Sequence, residues 1–237
     1  MANHQLLDNI THKDTRVITA HHPKFGDNQS YTRIVMDELK QAQSTYPLFF
    51  RKNAETGQFE IIAMFGLGDS ENLFLDENGW HAHYIPLTIQ RRPFLIGFQT
   101  DNSGNENPVV HIDMDSPRVS DTDGEALFLA QGGQSPYLQH ISSVLNTIHE
   151  GTKKTQPFVN MLQAHQLIEP VSLKITLKDG NTIEVGGLYT INEELVQDLR
   201  GDVIIELHEQ GYMEAIYMML ASLQNVTRII ELKNKTL

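Results

Sequence analysis

The 237-residue chain contains no cysteine. Thiol nucleophiles, disulfides and cysteine-ligated zinc are therefore excluded from its chemistry. Basic residues are scarce: 18 Lys and Arg face 30 Asp and Glu, a formal net charge of −12. No basic run exceeds two adjacent residues. Such a balance repels phosphate backbones and anionic lipid, so neither nucleic acid nor a charged membrane surface is an expected partner. Long hydrophobic runs are missing too. No apolar stretch approaches the ~18–20 residues a membrane helix needs, so no membrane insertion is expected. The opening residues, MANHQLLDNITHKDTRV, lack an apolar segment of signal-peptide length and a small-residue cleavage site. The expected location is the cytoplasm, with the cell surface reachable by a route that uses no cleaved signal.

What is present suits a globular domain with a substantial core, since 40% of residues are hydrophobic and 20% charged. Residues 1–32 are polar and rich in His and Asn, which predicts a loosely ordered segment draped over the surface. A single α+β domain is expected over 33–237. Val35, Leu39 and Ala42 at helical spacing predict a short helix. From 47 to 130 the chain is β-rich: YPLFF, FEIIAMFGL, NLFLDENGWHAHYIPL, RPFLIGFQ and PVVHIDM are separated by Gly, Asn or Pro. From 137 to 233 it is mostly helical with one hairpin. YLQHISSVLNTIHEG carries an apolar face from Leu138 to Ile148 and is expected to stop at Gly151, with a second short amphipathic helix, carrying Phe158, Met161, Leu162 and Ala164, that stops before Pro170. Two alternating runs meet at Asp179-Gly180, a β-hairpin signal. Asn192 is a predicted N-cap, and the last helix, YMEAIYMMLASLQNV, is apolar enough to lie in the core.

Few residues suggest chemistry. On a strand, His81 and His83 would project from one face. With an aspartate such as Asp113 they would make a two-histidine, one-carboxylate metal site, provided the strands pair in register. A solvent-facing strand edge is the simpler reading in a chain with 11 histidines. Arg91 and Arg92 have the chemistry to clamp a carboxylate or phosphate. Alternation on a flat strand would send them to opposite faces, and an internal ion pair is the simpler role. GLGDSENLF lacks both the Rossmann and the Walker glycine patterns. The chain contains no G-x-S-x-G nucleophile elbow.

The order of motifs is more informative than any one of them. YPLFF, GLGDSENLFLDENGWHAHYIPLTIQRRPF, HIDMDSP and LFLAQG, followed by TQPFVNMLQAHQLIEP, DGNTIEVGGLYTINEELVQDL and GYMEAIYMMLASLQNV, resemble the SapC-like family of bacteria over roughly residues 31–233. That family is named for a protein associated with surface layers. The matching positions are Tyr46, Pro47, Gly66, Asn72, Leu73, Phe74, Gly79, Trp80, Tyr84, Pro86, Arg91, Pro93, Phe94, Asp113, Gly180, Gly187 and Leu188. Most define turns and core. Among them Asn72, Trp80, Arg91 and Asp113 are the expected lining of any shared binding pocket, and His81 and His83 fall outside the pattern.

The resemblance implies a soluble accessory protein that binds a partner protein or peptide. The implied settings are a surface layer, or a modification or uptake system containing a flavin-dependent halogenase-like enzyme or an outer-membrane receptor. It implies no catalytic residues, no cofactor is expected, and self-association into a homo-oligomer is open. Two alternatives stand beside it: a metal-dependent enzyme built on His81 and His83, and a structural component of a surface layer.

Overall fold

A computed structural model describes residues 3–101 and 103–237. The first half is built of short strands: β1 (His4–Leu6), β2 (Arg16–Val17) and β3 (Tyr31–Arg33), then helix α1 (Leu39–Ala42), β4 (Leu48–Lys52) and β5 (Phe59–Met64). Next come β6 (Leu75–Asp76), β7 (Gly79–Trp80), helix α2 (Leu87–Gln90), β8 (Phe94–Thr100), β9 (Glu106–Asp113), β10 (Val119–Ser120) and β11 (Glu125–Ala126). The second half is helical around one hairpin: α3 (Pro136–Ala164), β12 (Ile168–Thr176), β13 (Thr182–Ile191), α4 (Glu193–Asp198), α5 (Asp202–Glu209), α6 (Tyr212–Ser222) and α7 (Asn225–Lys235). The architecture is α+β, as composition and periodicity predict.

The largest sheet joins the two halves. Its order is β12-β13-β4-β5-β3, with every pair antiparallel. The apolar runs of β4 and β5 suit a sheet covered on both faces. Phe49, Phe50, Ile61 and Ile62 are almost wholly buried, each contributing about 1.5–3 kcal/mol by leaving water. The C-terminal hairpin reaches this sheet through Leu188↔Arg51 and Tyr189↔Phe50. Phe158 of α3 packs on Phe50, and Ser222 at the end of α6 accepts a hydrogen bond from the Leu48 amide. A smaller core lies beneath the sheet β1-β9-β8, where Phe94 and Ile112 meet Leu138, Ile141 and Leu145 from the first half of α3.

Local turn chemistry is read well from sequence. Gly180 (φ +87°) closes the β12–β13 hairpin, Gly79 (φ +122°) closes β6–β7, and Asn192 caps α4 by accepting from the Leu195 amide. Three expectations need correction. The polar N-terminal segment is integrated into the sheets: β1 pairs with β9, β2 with β10 and β11, and β3 with β5. Its buried residues include Val17 and Asp27. Only residues 1–2 of it lie outside the described part of the chain. Second, α3 does not stop at Gly151 but runs unbroken through Pro157. Gly151 is there for closeness, since a Cβ would lie 2.6 Å from Val35 Cγ2 and 2.8 Å from its Cβ. Third, the final helical stretch is two helices, α6 and α7, rather than one.

Gly151→Ala sets two effects against each other. Alanine raises helix propensity by about 1 kcal/mol, whereas overpacking a buried β-branched side chain costs about 1–3 kcal/mol. Val35 is buried and branched at the point of contact, so it has little freedom to move aside. The expected outcome is a net loss of stability, read as a lower midpoint in chemical denaturation. A midpoint equal to or above that of the wild type would show that Val35 relaxes freely.

Candidate functional site

The four residues expected to line one pocket are distributed over separate structural tasks. Asn72 is buried; its side-chain amide donates to the Asp27 carbonyl (2.9 Å) and its side-chain oxygen accepts from the Phe74 amide. Trp80 packs edge-on against His21 and Phe65 and donates to the Tyr46 hydroxyl at 3.0 Å. Arg91 donates to the Phe94 carbonyl at 2.6 Å. Asp113 ends β9 opposite His4 and accepts from the Asp115 amide. The structure does not bring the four together.

Two networks of buried polar groups organise this region. The first centres on Asp27, whose side chain is fully buried. Arg118 Nη2 donates to Asp27 Oδ2 at 2.5 Å, the His22 amide donates to the same oxygen, and His21 Nδ1 lies 3.3 Å away. Arg92 Nη1 stands 3.7 Å from Oδ1. Burial pushes the Asp27 carboxyl up, but the His21 hydrogen bond and the Arg118 charge outweigh it and hold the group below the usual carboxylate range. Both arginines also bind backbone: Arg118 holds the carbonyls of Ile18 and Ala20, and Arg92 that of Gly26. A cavity of about 250 Å³ opens beside Arg118, Arg92, His21 and His140. The arginines lining it are already committed to holding the 18–29 segment.

The second network runs Trp80 → Tyr46 → Tyr84 → Glu38. The Tyr46 hydroxyl donates to the Tyr84 carbonyl, and the Tyr84 hydroxyl donates to Glu38 Oε1 at 2.7 Å. Glu38 also accepts from the amides of Leu87 and Val35. Desolvation raises the Glu38 carboxyl above its ordinary value, because three donors do not fully replace water around a buried charge. Desolvation likewise raises the hydroxyls of Tyr46 and Tyr84.

The metal reading loses its geometry. His81 and His83 follow β7 in an irregular segment rather than on a strand, so the same-face argument does not apply. His81 Nε2 instead meets Asp76 Oδ1 at 2.7 Å, and both groups are half-exposed. Among the described residues, no three His, Asp or Glu side chains gather as a metal-ligand set. Arg91 and Arg92 also lie off any strand, at the end of α2. They diverge because one binds Phe94 and the other Gly26 and Asp27.

The most site-like feature is a groove of about 410 Å³ between β8 and α3. Leu95, Ile96 and Phe98 form one wall, and Leu145, Ile148 and His149 the other. Arg33 and Arg91 lie in its lining. Strand β8 is the free edge of the β1-β9-β8 sheet among the described residues. Its ladder polarity follows from Arg91, which takes both backbone groups of Phe94. The Phe94 amide donates to the Arg91 carbonyl, and the Arg91 guanidinium donates to the Phe94 carbonyl. Phe94 therefore points its backbone away from β9, and by the alternation of an antiparallel ladder so do Ile96 and Phe98. Phe98, 53% exposed, stands over this edge against His149.

The model of the SapC family matches residues 7–229. The chain belongs to the SapC family. No curated protein and no solved structure matches it significantly. Among the residues that carry the SapC resemblance, Asn72, Trp80, Tyr46 and Tyr84 belong to the two buried networks, which assigns them to positioning the chain. Arg91 alone of the four expected pocket residues lines the groove. Sequence reasoning missed Asp27, Glu38 and Arg118, and also the edge residues Ile96 and Phe98. The β-branched and aromatic run of RPFLIGFQ was a usable signal for the strand, but nothing in it marks an edge. No helix among the described residues is long and apolar enough to cross a membrane.

Asp27→Asn is expected to cost about 3–5 kcal/mol, because Arg118 would keep a buried charge without its counter-ion. The folded carboxyl titrates below its unfolded value of about 3.9. Its stabilisation is thus complete above about pH 4 and is lost as the pH falls through the folded pKa. Denaturation midpoints measured between acid and neutral pH should show the variant with a flatter acid limb than the wild type. Parallel curves would mean that Asp27 does not carry this dependence.

Proposed function

We propose that this SapC-family chain is an accessory protein that acts by binding an extended peptide segment of a partner protein along β8. The observation that carries the reading is a free sheet edge with outward backbone groups at Ile96 and Phe98, facing an apolar wall of α3. An added strand would satisfy those groups and rest alternate side chains on Leu95, Leu145 and Ile148. Up to four new backbone hydrogen bonds at about 0.5–1.5 kcal/mol each, plus burial in the groove, offset an association cost of several kcal/mol. The affinity expected is roughly micromolar.

The partner classes that the SapC resemblance implies are a flavin-dependent halogenase-like modifying enzyme and an outer-membrane receptor system. Either needs only to present an extended segment. The surface-layer setting is compatible with the same mode of binding.

The test uses an array of extended hexapeptides anchored by their N-termini, probed with the whole chain. Phe98→Pro removes one outward N–H at an edge, a position where proline is tolerated. The variant is expected to stay folded and to lose at least about tenfold in affinity for the array binders, equivalent to about 1.4 kcal/mol. Unchanged binding would move the site away from β8. A dimer in solution that Phe98→Pro dissociates would replace the peptide with a second copy of the chain.

A further inference from the structure

We infer that the β8 groove captures the free C-terminal carboxylate of its peptide, which lies antiparallel to β8 and ends beside Arg91 and Arg33. This rests on the peptide-binding reading and adds to it the direction and the terminal chemistry of the ligand.

Three observations carry it. First, the edge has a built-in stop. Both outward backbone groups of Phe94 are occupied by Arg91, so an added strand pairs with Ile96 and Phe98 and cannot extend past Phe94. A strand antiparallel to β8 reaches that stop with its C-terminal end. A parallel strand would reach it with its N-terminal end, and a free ammonium there would meet two guanidinium groups.

Second, the cation at the stop lacks an anionic partner. Among the described residues the Arg91 guanidinium makes one hydrogen bond, to a neutral carbonyl, and forms no ion pair. The charged neighbours that act on it are Arg92 and Arg33, both of the same sign. Desolvation first, and then those two charges, push Arg91 below the ordinary guanidinium value. An incoming carboxylate would relieve both effects. Third, Arg33 reaches the same groove, and its own link to Glu60 is long, 3.4 Å, and half-exposed. Lys153, also in the lining, is already paired with Glu150 at 2.8 Å and is not needed.

The combination resembles the general logic of terminal-carboxylate capture: backbone pairing sets the register, and a fixed donor group reads the chain end. A guanidinium anchored through one nitrogen to Phe94 keeps its remaining N–H groups for the ligand, and its position is set by the strand it binds.

The experiment compares array binders synthesised as matched pairs, one ending in a free carboxylate and one in a carboxamide. Affinity is measured by titration calorimetry, and amide hydrogen exchange is followed at Ile96 and Phe98. The carboxylate peptides are expected to slow exchange at both amides and to bind at least about tenfold more tightly than their carboxamides, about 1.4 kcal/mol. Arg33→Gln, a change at an exposed side chain, is expected to shrink that ratio several-fold while exchange at both amides stays slowed. Arg91→Lys keeps the charge but loses the fork and should shrink the ratio too. Peptides that protect Ile96 and Phe98 equally as carboxylate and carboxamide would overturn the carboxylate inference and leave the peptide reading standing. If no peptide protects those amides, the peptide reading falls and the inference falls with it.

Discussion

The buried pair Asp27–Arg118 is the constraint on which the rest of the arrangement depends. Its two residues are 91 positions apart and both are almost wholly buried. Neither would be tolerated there alone, since an unpaired buried charge costs several kcal/mol. Together they fix the 18–29 segment, because Arg118 holds the carbonyls of Ile18 and Ala20 while Asp27 draws in His21, His22 and Arg92. Asn72 then binds the Asp27 carbonyl, and Trp80 packs edge-on against His21. The ion pair thus adds to the strand pairings of β1, β2 and β3 in holding a polar segment against the core.

The second network continues the same work one layer further along the chain. Glu38, at the start of α1, gathers the Tyr84 hydroxyl and the Leu87 amide. The irregular segment after β7 is thereby pinned to α1 at two points, and α2 begins where it must. Helix α2 ends at Arg91 and Arg92, which turn in different directions: Arg92 toward the first network, Arg91 toward β8. The position of the groove's cation is thus the end product of two buried polar clusters. A carboxylate held without a nearby cation, as Glu38 is, costs stability; here it fixes a loop that lacks regular backbone pairing of its own.

What sequence conveys and what it hides divide along contact range. Turn residues act locally, so Gly180, Gly79 and the Asn192 cap are readable from neighbours a few positions away. The β-branched and aromatic run of RPFLIGFQ identifies a strand for the same reason. Gly151 misleads because glycine serves both to end helices and to admit a close neighbour, and only the distant Val35 reveals which applies. The H-x-H pair misleads because alternation assumes a strand, whereas residues 81–86 are held by Glu38 and Tyr46 and lie outside the sheets. Asp27 and Arg118 sit among other charged residues with no local mark. Their partnership is a property of the assembled fold.

On the proposed peptide reading, the charge of the whole molecule would add to the selectivity of the groove. A chain with formal charge −12 repels anionic peptides over most of its surface. At physiological ionic strength that repulsion fades beyond about 8 Å, so a local cationic pair governs any group that comes into contact with it. Arg91 meets that condition at the Phe94 end of β8, with Arg33 in the same lining; on the facing helix Leu145 and Ile148 are apolar, and Lys153 is already paired with Glu150. A ligand with negative charge along its length is disfavoured by the surrounding surface, whereas one with a single charge at its end is matched. An apolar strand terminated by one carboxylate, the proposed ligand, is therefore compatible with both the local and the overall electrostatics.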